Sequence, residues 1–147
     1  DIKRVAEKAR AAGCAVEAAP YFKKGMPTGR IDARALLVNG HRCAVYQTSK
    51  PCVPSVHFLR VYAHYSLTYS WLADKDAVIF YVNITGFDER LFVVPATILR
   101  TIVFGIPPKK SLMSVYLPTA KLPAYHNQHP RIDFWQYEDG WSLLPSV

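Results

Sequence analysis

The chain reads as an α/β domain of the mixed α+β kind, a β-sheet with helices packed on it. Three observations predict this. Asn39-Gly40 sits between the apolar run Leu36-Leu37-Val38 and the alternating Cys43-Ala44-Val45-Tyr46-Gln47. It is the strongest two-residue hairpin signal, because both residues tolerate the positive φ of a type I′ turn. Ala77-Val78-Ile79-Phe80-Tyr81-Val82 is uniformly apolar over strand length, as a central strand covered on both faces would be. Helical periodicity appears before the hairpin and again after residue 95, so helix, strands and helix alternate along the chain.

Taken in order, Val5, Ala9 and Ala12 recur at helical spacing with Lys and Arg between them, which predicts a helix over 4–12 stopped by Gly13. Residues 13–19 form a strand closed by Pro20. Residues 21–29, with Lys23-Lys24-Gly25 and Pro27-Thr28-Gly29, read as a turn-rich basic loop, either an arm that touches phosphate or an ordinary exposed connection. After the hairpin, Pro51 and Pro54 bar a central strand. Residues 56–71 are dense in aromatics and begin as a strand. Those rings can stack on unpaired bases, although cross-strand packing is their commoner use.

Asp74-Lys75-Asp76 is a polar turn into the apolar strand, and residues 91–94 return beside it. Pro95-Ala96 opens a helix over 97–104, ended by Gly105 and Pro107-Pro108, and residues 112–117 are a further strand. The tail, 121–147, is rich in Pro and aromatics, and Phe134, Trp135, Tyr137 and Trp141 are expected to pack it across the sheet.

With 147 residues the chain makes one domain over 1–147, tail included, large enough to need no disulfides. Half its residues are apolar and a fifth are charged, which excludes wholesale disorder. No apolar run approaches a membrane span, and the first 19 residues are too charged for a secretion signal. The absence of a starting Met suggests a trimmed chain. Cys14, Cys43 and Cys52 have no metal-like spacing and an odd count, so they read as thiols in a reducing compartment. An intracellular location, cytoplasmic or nucleoid, with no membrane partner, follows as the expectation.

The charge is one-sided. Residues 1–60 carry 11 Lys or Arg against 4 Asp or Glu, whereas residues 61–147 carry 7 of each, so the whole net +7 lies in the first part. That asymmetry is the footprint of a polyanion binder, set against a merely solubilising surface. Lys3, Arg4, Lys8 and Arg10 alone would be a solvated helix face. Lys23, Lys24, Arg30, Arg34, Arg42 and Lys50 surround the hairpin and are the candidate nucleic-acid contacts, joined by Tyr46 and Gln47 as neutral hydrogen-bonding groups.

The order of these elements around the hairpin resembles the PD-(D/E)XK, or restriction-endonuclease-like, nuclease superfamily. The preceding helix contains Glu7, the later strands match residues 77–83 and 91–95, and Tyr137-Glu138-Asp139-Gly140-Trp141-Ser142-Leu143-Leu144 is similar to the aromatic ending of such small proteins. The resemblance implies a central mixed β-sheet flanked by helices. It also implies an Asp on the first hairpin strand, with an acid and a Lys two apart on the second. Laid over this turn, those positions fall on Ala35, Ala44 and Tyr46. Cleavage by this route needs Mg²⁺ held by carboxylates, which two Ala cannot supply. Tyr, with a pKa near 10, is no substitute for the Lys.

The reading is therefore a catalytically degenerate domain that binds nucleic acid without cofactor, with duplex DNA favoured over RNA by resemblance alone. Two carboxylates facing a phosphate would hinder binding without a metal, so their loss can even aid it. An active enzyme would need Mg²⁺ and a register slip that recruits Asp32, with Glu17 as second carboxylate; a one-residue slip turns every side chain to the other face. A third reading is an interaction or scaffold module in a larger assembly, and by analogy with homing and restriction relatives a homo-oligomer is compatible. His126, His129 and Asp133 invite a zinc site, but they lack a Cys partner and Pro130 intervenes, so no metal is expected.

Overall fold

A computed structural model describes residues 2–52, 62–119 and 132–146. Helix α1, Ile2–Ala11, precedes strands β1, Val16–Lys23, β2, Met26–Val38, and β3, His41–Thr48. Then come β4, Tyr62–Thr68, β5, Ala77–Val82, and β6, Arg90–Pro95. A short helix α2, Ala96–Ile98, runs on into a π-helix, Leu99–Phe104, and is followed by β7, Leu112–Pro118. Turns of 3₁₀ helix occupy Phe134–Tyr137 and Trp141–Leu143 in the tail.

The fold is mixed α+β. Five strands form one sheet in the order β1-β2-β3-β5-β6, with β3 and β5 parallel and the other neighbours antiparallel. Strands β4 and β7 pair antiparallel as a separate two-stranded sheet. As the apolar run predicts, β5 is buried along its whole length. Its side chains alternate between two cores. Ile79 and Tyr81 join Leu36, Val38, Val45, Leu91 and Val93 beneath Val5, Ala6 and Ala9 of α1, with Trp141 and Leu144 of the tail. Val78, Phe80 and Val82 join Phe92 and Val94 on the other face, covered by Tyr65, Leu67, Val115, Leu117, Leu99, Phe104 and Phe134. The cover on that second face is largely β-structure, so the sheet is not simply flanked by helices.

The predicted hairpin turn is present, with Asn39 at φ 50° and Gly40 at φ 83°, and Val38 faces His41 across it. Asn39 ties three segments together. Its backbone N–H donates to Ala15 O at 2.8 Å, its Oδ1 accepts from the Ala15 N–H at 2.9 Å, and its Nδ2 donates to Leu144 O at 2.7 Å.

Four readings of the sequence are corrected. The first helix ends at Ala11, with Ala12 exposed and Ala6 taking the third inward position. Strand β1 runs through Pro20 to Lys23, because Pro20 lies on an edge strand between two register shifts, where a missing N–H is tolerated. The basic loop over 21–29 is a second hairpin, turned by Lys24 at φ 51° and Gly25 at φ 77°. Residues 99–104 are helical as read, but in the wider π form, whose Arg100 donates to Leu72 O at 2.7 Å.

The tail aromatics pack as expected, Phe134 and Trp141 buried and Trp135 and Tyr137 partly so. Glu138 bridges to Phe92, and Asp139 N–H donates to Leu91 O at 2.9 Å, which closes the β6 edge of the sheet. Residues 53–61 and 120–131 lie outside the described residues, and with them His57, Phe58, Arg60, Lys121, His126 and His129. No helix among the described residues is long and apolar enough to cross a membrane.

Candidate nucleic-acid interface

Strands β2 and β3 pair only near their shared turn, from Val38↔His41 to Ala35↔Ala44. Beyond that point they part: β3 continues beside β5, and β2 continues with β1 alone as its partner. The consequence is a two-stranded ribbon that no layer among the described residues covers, and every residue from 20 to 31 is exposed. It carries Lys23, Lys24 and Arg30, and residues 18–31 contain no Asp or Glu.

At the foot of the ribbon lies a cleft of about 490 Å³ against the turn that follows β4. Tyr21 and Phe22 line its ribbon side and Trp71 the opposite wall, with Arg34, Arg42 and Lys75 as its cations and Asp32 and Asp74 as its anions. Arg42 is the clamp. Its Nη2 bonds Asp32 Oδ2 at 3.1 Å and its Nη1 donates to Pro20 O at 2.7 Å. Its guanidinium lies 5.5 Å from the centre of the Phe22 ring, and its Nε is 3.5 Å from Asp74 Oδ2. Its backbone N–H donates to Asp76 Oδ2 at 2.8 Å. One arginine thus holds the ribbon foot to the polar turn before β5.

Lys75 is buried and bonds Asp74 at 2.5 Å. Burial tends to raise the Asp74 carboxyl, but the bond and charge of Lys75, with the charge of Arg42, outweigh it and hold Asp74 below its ordinary value. Arg34 stands apart. Its guanidinium rests 5.6 Å from the Trp71 ring centre and 5.7 Å from that of Tyr46, and among the described residues it has no carboxylate within ion-pair distance. Among the described residues the cleft therefore offers one cation without a carboxylate partner, backed by two aromatic faces.

The residues singled out from the sequence separate into groups. Lys23, Lys24, Arg30 and Arg34 are exposed and share the ribbon with its foot. Gln47 and Lys50 are exposed at the end of β3 that runs away from the Asn39-Gly40 turn, as the ribbon does. Arg42 and Tyr46 are already engaged: the Arg42 side chain is 13 % exposed, and the Tyr46 hydroxyl donates to Ser66 O at 2.6 Å. Both side chains are thus also parts of the framework.

Ala35 and Ala44 face each other, both buried. The register that recruitment of Asp32 would require is not the one adopted. One Asp32 oxygen is held by Arg42 and the other accepts the Arg34 N–H at 2.9 Å, while Glu17 pairs with Leu37, roughly 16 Å away along β2. Among the described residues, no three His, Cys, Asp or Glu side chains come together as a metal site would need. The donor set at this hairpin does not fit Mg²⁺, so no step through a metal is derived.

Phe22, Met26 and Ile31 were not among the site candidates read from the sequence, whereas Trp71 stood among the aromatics of 56–71 that can stack on bases. The signal for the first three was the acid-free stretch 18–31, in which apolar residues and cations are mixed around Gly25 and Gly29. No protein-family model matches this chain, and comparison with curated proteins and with solved structures found no match.

Proposed function

We propose that this protein binds duplex DNA through the ribbon and the cleft at its foot, and that it does so as a non-cutting relative in form of the restriction-endonuclease-like nucleases. The observation that carries the reading is the uncovered ribbon, exposed from 20 to 31, with Lys23, Lys24 and Arg30 and no acid of its own. A two-stranded ribbon fits the major groove of B-form DNA, about 12 Å wide. Its cations meet phosphates and release counterions, which gives sequence-independent, salt-sensitive affinity. Arg34 adds a contact at the foot, and Gln47 and Lys50 extend the surface along the end of β3. RNA is the weaker fit, because the A-form major groove is too narrow for a ribbon.

Cleavage forms no part of the proposal. Ala35 and Ala44 supply no ligand, and Asp32 is bound to Arg42.

The test is a titration of fluorescent duplex DNA at several salt concentrations, beside a plasmid cleavage assay in Mg²⁺ and Mn²⁺. Binding should weaken steeply with salt, and Lys23→Gln with Lys24→Gln and Arg30→Gln should flatten the log–log slope by roughly 2.7. No binding, or a triple variant that binds like the parent, would overturn the proposal. Cleavage abolished by Asp32→Ala would replace it with the enzyme reading.

A further inference from the structure

Electrostatics leaves part of the ribbon unexplained. Of the seven large apolar side chains exposed among the described residues, four lie on it: Tyr21, Phe22, Met26 and Ile31, the last two 67 % and 69 % exposed. Scattered exposed apolar residues are ordinary, but four on one short uncovered ribbon are a patch. A ribbon that merely reached phosphates would be served by polar residues here.

The register shows how they are arranged. Phe22 stands opposite Pro27, and Lys23 opposite Met26, so the tip has one wholly apolar face and one face pairing a cation with a thioether. Pro20 and Ile31 face each other farther down. Cations enclose this apolar surface: Lys23 and Lys24 at the tip, Arg30 along β2, Arg34 at the foot.

We propose that the ribbon tip is a wedge, and that Met26, beside Lys23 and the Lys24-Gly25 turn, enters the base stack of duplex DNA and kinks it. The inference rests on the DNA-binding reading and adds its mode. Phosphates drawn to the enclosing cations bring the tip to the groove floor, where base steps are the surface an apolar side chain can enter. Two steps of β1 stand opposite four of the bulged β2, so from residue 26 to residue 34 the ribbon spans roughly 20 Å, enough to keep its foot on the backbone while the tip is inserted. Apolar wedges that enter from the minor groove unstack a step and bend the duplex by about 20–90°, and entry from the major-groove side is expected to unstack and bend a step likewise. The substrate class follows: DNA with a readily unstacked pyrimidine–purine step, TA or CA/TG, in preference to stiff A-tracts. A protein partner that took the same patch would need an acidic rim around an apolar groove, and DNA supplies the anionic rim along its whole length.

The experiment uses a duplex of about 30 base pairs with a central TA step, a 2-aminopurine beside that step, and a dye at each end. Wild-type protein should raise the 2-aminopurine fluorescence and shorten the end-to-end distance. Met26→Ser should lose most of both signals and keep the wild-type salt slope, since the cations are untouched. Wild-type binding with no unstacking and no bend overturns the wedge and leaves DNA binding intact. So does a Met26→Ser variant that bends DNA as well as wild type. Absence of any binding overturns both, and a protein would then be the partner for the patch.

Discussion

Arg42 meets Asp32 across ten residues of sequence, guanidinium to carboxylate at 3.1 Å, with side chains only 13 % and 15 % exposed. The pair makes Asp32, read from the sequence as a candidate metal ligand, an anchor of the ribbon foot. It also divides the basic residues into those that build the ribbon and those that face outward from it.

That division is measurable with two arginines. Arg42→Ala leaves Asp32 half-buried without its partner and releases Pro20 O, so it should cost about 2–4 kcal/mol in urea unfolding. Arg34→Ala should leave stability nearly unchanged and lower the salt slope of DNA binding by about 0.9. Equal effects of the two substitutions on stability would contradict the assignment.

Tyr46→Phe tests the second framework residue. It removes the hydroxyl bonded to Ser66 O and keeps the ring against Tyr65 and Trp71. A loss of about 1 kcal/mol is expected, with DNA affinity unaltered. A drop in affinity without one in stability would return Tyr46 to the interface.

Acid should loosen the join between α1 and the strand ends. The Arg4 bond is the main cause that holds the Glu89 carboxyl down, with Lys8 and Tyr81 adding to it, at about 2 against an ordinary 4.5. A depressed carboxylate stabilises the fold above its unfolded pKa, and this contribution fades as pH falls from about 4.5 through 2. Glu89→Gln should therefore melt below wild type at pH 7, with the gap closing towards pH 2 in a series of thermal melts. A gap of constant size across that range would disprove the linkage.

Thiol chemistry gives a fourth check. Burial first, and the nearby Asp76 charge second, push the Cys43 thiol up to about 12, whereas Cys14 and Cys52 are partly exposed. At pH 8, an aromatic disulfide reagent should react with no more than two thiols in the native protein and with all three after denaturation. Rapid reaction of a third native thiol would contradict the burial of Cys43.

Much of the fold was legible in sequence because it depends on local signals. Asn39-Gly40, the apolar β5 and Gly13 each declare their role through backbone preference or periodicity. The ribbon was hidden because Pro20, Gly25, Pro27 and Gly29 are the residues of a loop, and an uncovered edge strand tolerates them equally well. The β4–β7 pair joins residues as far apart as Tyr62 and Pro118, a pairing that no local pattern encodes. At the site, the cations were legible by type. That Arg42 turns inward and Arg34 outward depends on where β2 leaves β3, which only the assembled sheet determines.

The Asn39 side chain bonds Leu144, 105 residues later in the chain. On the ribosome the β2–β3 hairpin and its two bonds to Ala15 can therefore form early, whereas the third bond waits until residue 144 has emerged. Until then the ribbon is tethered to an unfinished sheet. Deleting residues 141–147 should consequently leave a hairpin that forms but lacks its tie to the tail, read as faster amide exchange at residues 38–41 than in the 147-residue chain.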